Sequence, residues 1–81
     1  MYYLGKIQTF ILTKTDNGEI PSLPIIMQDY YHISDPYGPA TNAKRNAIHQ
    51  SIIRLESRGL IKNNLLTEQG RRIAKELNEK H

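Results

Sequence analysis

NAKRNAIHQSIIRLESRGLIKNNLLT, residues 42–67, is the stretch that decides the fold. Ile48, Ile52 and Leu55 recur at helical spacing, which gives a helix over 42–58 one apolar face. Arg58-Gly59 ends it. Glycine is favoured just past a helix C-terminus because the left-handed conformation needed there costs it no steric strain. Leu60-Ile61-Lys62 and Leu65-Leu66-Thr67 then read as two short strands. Asn63-Asn64 between them serves as a two-residue turn, since Asn tolerates positive φ better than most residues.

Upstream, Leu4, Ile7 and Ile11 share a helical face with Phe10 beside them, which predicts a first helix over 1–14. Asp16-Asn17-Gly18 is a strong turn signal. Glu19-Ile20-Pro21 is short and extended, and its proline allows an edge strand but not a central one. Ser22 suits an N-cap and Pro24 a first turn, so a second helix is expected over 22–31, apolar along Leu23, Ile26, Met27 and Tyr30. His32 to Thr41 holds Asp-Pro and Gly-Pro without periodicity and must be a loop, with Tyr37 at its tip. Thr41 or Asn42 is expected to cap the next helix. The hairpin is expected over 60–67. Thr67 then caps a last helix over 68–79, with Glu68 in the first turn and Ile73, Ala74 and Leu77 on its apolar side. Ile52 and Leu55 should be deeply buried against Leu4, Ile7, Ile26 and Ile73.

The 81 residues suit a single domain, 1–81, and a small core. The chain has no cysteine, which excludes a disulfide framework and a Cys zinc site, and its three histidines make no metal-ligand spacing. The opening MYYLGKIQTFIL has one lysine and no long apolar run, a poor signal peptide and a poor membrane span, so a cytoplasmic location is expected. Charge is divided unevenly. Residues 1–40 carry two basic against four acidic side chains, net −2, and residues 41–81 carry nine against four, net +5. A basic half of this kind suits a polyanion.

The predicted order is helix, short strand, helix, helix, strand, strand, helix: mostly α with a small β-hairpin wing, the arrangement of a winged helix-turn-helix. Ile52 to Ile61 (IIRLESRGLI) and Leu66 to Arg72 (LTEQGRR) resemble the winged-helix transcription regulators of bacteria and archaea. They are similar to the hydrophobic-x-x-Leu-Glu-x-x-Gly-Leu-Ile and Leu-Thr-x-x-Gly string of the multiple-antibiotic-resistance and phenolic-acid regulator types. The resemblance covers about a quarter of the chain, from Ile52 to Arg72. It implies a DNA-binding regulator that uses 42–58 as its recognition helix, and a homodimer joined through the first and last helices. The link of about ten residues before that helix is longer than the family's usual tight turn, and the wing keeps only Lys62 as a cation near its tip.

On the wheel, the face opposite Ile48, Ile52 and Leu55 holds Ala43, Asn46, Gln50 and Arg54, flanked by Asn42 and His49. Asn and Gln pair bidentately with adenine and Arg with guanine, so Asn46, Gln50 and Arg54 are assigned to base edges. Ala43 permits close approach. Lys44 and Arg45 lie nearer the buried side but have long stems; with Arg58 they are assigned to phosphates. Lys62, Asn63 and Asn64 complete the candidate set from the wing. Ile53 falls between the core and outer faces and is expected under the wing or at a partner interface.

The expected partner is double-stranded DNA, and no cofactor or metal is called for. Tyr2, Tyr3, Phe10 and Leu77 read as more apolar surface than a monomer buries, which favours the dimer. No Ser/His/Asp string, phosphate-cradling glycine loop or paired carboxylate motif points to an enzyme. The alternative function is a winged-helix protein–protein interaction module that does not bind DNA.

Overall fold

The computed structural model describes residues 4–15 and 18–79. Four helices and one hairpin follow in order: α1 (Lys6–Thr13), α2 (Leu23–Tyr31), a 3-10 turn (Pro39–Thr41), α3 (Asn42–Ser57), β1 (Ile61–Lys62), β2 (Leu65–Leu66) and α4 (Glu68–Glu79). The molecule is thus mostly helical with one two-stranded antiparallel hairpin.

The end of α3 fixes the hairpin. Gly59 takes φ +75. Its N–H donates to the Glu56 carbonyl at 3.0 Å, and the Leu60 N–H reaches back to the Leu55 carbonyl at 3.0 Å. These two bonds form a Schellman motif, which satisfies the last carbonyls of the helix and turns the chain sharply. Ile61 then pairs with Leu66, and Lys62 with Leu65. Asn63 and Asn64 both sit at positive φ, 55 and 62, the pair of left-handed residues that a type I′ turn requires. Glu19 bridges Leu65 in antiparallel fashion, the Leu66 N–H donates to the Gly18 carbonyl at 2.8 Å, and the Ile20 N–H donates to the Asn64 carbonyl at 3.2 Å. The extended stretch after α1 therefore lies along β2 as a single bridge rather than a full strand. Asp16 and Asn17 of the turn signal lie outside the described residues.

Thr67 joins three elements. Its hydroxyl accepts from the Gly70 N–H at 3.1 Å, capping α4, and donates to the Gly59 carbonyl at 2.6 Å. Its own N–H donates to the Leu60 carbonyl at 3.0 Å. Gly70 is buried, and a Cβ there would collide with the Leu60 carbonyl oxygen. The Leu-Thr-Glu-Gln-Gly run thereby sets α4 directly against the start of the hairpin.

The core is Ile11, Leu12, Ile26, Met27, Ile48, Leu55, Leu60, Ile61 and Ala74. Several expectations change. The first helix spans Lys6–Thr13 rather than 1–14, with extended Gly5 as its N-cap and residues 1–3 outside the described set. Ser22 holds the N-cap position of α2 but makes no side-chain cap bond. Thr41 does not cap α3 either, because its hydroxyl turns back to the Gly38 carbonyl at 2.6 Å and the Pro36 carbonyl at 3.1 Å. Ile52 is only half-buried, because Ser51 takes the deeper position and satisfies its hydroxyl on the Ala47 carbonyl at 2.9 Å. Phe10 and Leu77, read as dimer surface, pack partly buried against the core of their own chain, while Tyr2 and Tyr3 lie outside the described residues. Among the described residues, no helix is long and apolar enough to cross a membrane.

Candidate nucleic-acid interface

α3 presents its outer face to solvent along its whole length. Asn42, Ala43, Lys44, Asn46, His49, Gln50 and Arg54 are all exposed, and Arg45 and Arg58 are half-buried. Its packed side holds Ile48, Ser51 and Leu55, with the half-buried Ala47 and Ile52 at its margins. Glu56 is the single carboxylate of this helix, so the field it presents is positive. Lys62, Asn63 and Asn64 are exposed on the hairpin, which begins where α3 ends.

Lys44, Arg45 and Ile53 have surroundings that the helical wheel does not show. Lys44 is exposed, and its ammonium stands 5.8 Å from the centre of the Tyr31 ring. That ring meets Tyr30 edge-on at 4.9 Å, and Tyr30 meets Phe10 edge-on at 5.1 Å, so an aromatic row runs from α1 to the first turn of α3. Burial, with the neighbouring Tyr30 second, raises the Tyr31 phenol above its usual 10.0. Tyr31 therefore stays protonated at neutral pH, and its ring faces the Lys44 ammonium as a cation–π partner.

Arg45 faces the loop instead of a solvent channel. Its guanidinium bonds to the Asn42 side-chain oxygen, donates to the Pro36 carbonyl at 3.4 Å and stacks 5.8 Å from the Tyr37 ring. The loop itself is tightly turned: the Tyr37 N–H donates to the Asp35 carboxylate at 3.2 Å, and the Thr41 N–H donates to the Gly38 carbonyl at 3.1 Å. The segment 35–41 is thus a small knob clamped to the N-terminal end of α3, with Tyr37 exposed on it.

Ile53 is the third. It is 51% exposed on the outer face, between His49 and Gln50 one turn before it and Ser57 one turn after it. It is not among the buried residues of the core or the partly buried ones packed against it.

Lys6 is a cation that sequence reasoning assigned no role, because it belongs to the acidic half of the chain. It lines an open cleft between α1 and α3 together with Gln50 and Arg54. Only the tertiary pairing of α1 with α3 brings it there. Among the described residues, no group of three or more His, Asp or Glu side chains is placed to hold a metal.

Chemically this surface offers amide and guanidinium hydrogen-bond donors on one helix, with cations on its flanks. That is the equipment for reading base edges and touching phosphates. Comparisons of this chain with protein-family models, with curated proteins and with solved structures find no match.

Proposed function

We propose that this protein is a winged-helix DNA-binding protein, a transcriptional regulator that reads a major groove with α3. The observation that carries the proposal is the exposed, polar and net-cationic outer face of α3, sixteen residues long, beside a short hairpin. The bridge from Glu19 to Leu65 supports the winged-helix reading, since it ties the stretch after α1 to the same hairpin. Asn46, Gln50 and Arg54 meet base edges, with Ala43 and His49 alongside. Lys44, Arg58 and Lys6 meet phosphates, and Lys62 with Asn63 and Asn64 forms a minimal wing contact. Arg45 and Asn42 act at one remove, as positioning residues that fix the loop against the helix. Two copies joined through the outer sides of α1 and α4 would set their α3 helices on half-sites about 34 Å apart.

The test separates the two kinds of contact. Lys44→Ala should weaken binding to every duplex alike and lower the salt slope by about 0.9, the value for one phosphate. Gln50→Ala should cost about 1–3 kcal/mol at one base position and leave random-duplex binding nearly intact. Circular dichroism verifies that both variants are folded. If neither variant changes duplex affinity, α3 is not the reading element and a protein-interaction role becomes the better account.

A further inference from the structure

From the position of Ile53 we infer that it is a specificity-determining residue that reads the 5-methyl group of a thymine in the major groove. This rests on the DNA-binding reading above and adds to it a base that the polar residues of α3 do not specify.

Ile53 is half exposed, and its nearest helical neighbours on the surface, His49, Gln50, Glu56 and Ser57, are all exposed polar residues. Ile52, one position earlier, packs against the core; Ile53 does not. The apolar branch therefore stands in the middle of the same face as Asn46 and Gln50. β-Branched residues are stiff at χ1 in a helix, so this side chain is held in one orientation before any ligand arrives. It can neither donate nor accept a hydrogen bond. Of the four bases, only thymine offers a methyl group in the major groove, so thymine is the base that an isoleucine there can recognise by contact.

The spacing fits a single groove. At 1.5 Å rise per residue, Ile53 lies about 10 Å along α3 from Asn46. That distance corresponds to roughly three base pairs at about 3.4 Å each. An adenine read by Asn46 or Gln50 and a thymine read by Ile53 therefore fall within one half-site.

The experiment selects duplexes from a randomised library with the wild-type protein and with Ile53→Ala. The wild-type consensus is then remade with deoxyuridine in place of thymine at one position at a time, which removes only the methyl. Wild type should lose about fourfold in affinity at one thymine, the equivalent of ~0.8 kcal/mol for one buried carbon. Ile53→Ala should bind the thymine and deoxyuridine duplexes alike at that position, with an unchanged salt slope. Ile53→Val should retain part of the discrimination. A flat deoxyuridine scan in a wild-type protein that binds DNA, or a consensus without a thymine preference, overturns the role of Ile53 and leaves the DNA-binding reading standing. Failure of wild type to bind any duplex overturns both.

Discussion

Gly59 and Gly70 sit eleven residues apart and are required for opposite reasons. Gly59 has φ +75 and open space where a Cβ would go. An L-residue there suffers only from its backbone, by roughly 1–2 kcal/mol. Gly70 has ordinary helical geometry but lies on the Leu60 carbonyl, so any side chain must push α4 away from the hairpin. Gly70→Ala should destabilise by about 1–3 kcal/mol in urea denaturation, although Ala is the better helix former. Gly59→Asn should be close to wild type, since Asn enters the left-handed region at modest cost, while Gly70→Asn should be worse than Gly70→Ala. A Gly70→Ala protein more stable than wild type would contradict the contact. The role of Gly59 was legible in the sequence, because it follows an apolar helix and precedes strand-like residues. The role of Gly70 was not, because it depends on how close two elements approach.

At the scale of elements, α3 and the hairpin were the most legible. Period 3.6 along 48–55 and two asparagines between short apolar runs are local signals, and local signals survive folding. The loop 32–41 was the least legible, because Arg45 organises it from outside. The wheel directed Arg45 toward phosphates by reach alone, whereas Pro36 and Tyr37 hold its guanidinium. The account therefore predicts that Arg45→Ala leaves the salt slope of DNA binding unchanged and speeds amide exchange at Thr41, whose N–H closes the loop on Gly38. A slope reduced by about 0.9 with unaltered exchange at Thr41 would return Arg45 to the phosphates. Ile53 stands further out than a place under the wing would need, for a related reason. The wheel was centred on Ile48, Ile52 and Leu55, but the packed side is centred on Ile48, Ser51 and Leu55, which rotates Ile53 outward. A buried serine carries no hydropathy signal; its hydroxyl is satisfied within the helix, on Ala47.

At the scale of the whole molecule, charge is the property that the fold turns into a surface. The basic half of the sequence supplies α3, the hairpin and α4, and Lys6 of α1 lines a cleft with Gln50 and Arg54 of α3. A surface built this way should bind DNA mainly through phosphates, with base contacts refining the choice of site. The decisive measurement is the affinity for a random duplex as a function of salt, followed by fluorescence anisotropy at neutral pH. The account predicts measurable binding at low salt, with log affinity falling linearly against log salt and a slope between about −2 and −5, for roughly two to five phosphates contacted. Absence of binding at the lowest salt, or an affinity independent of salt, would contradict it.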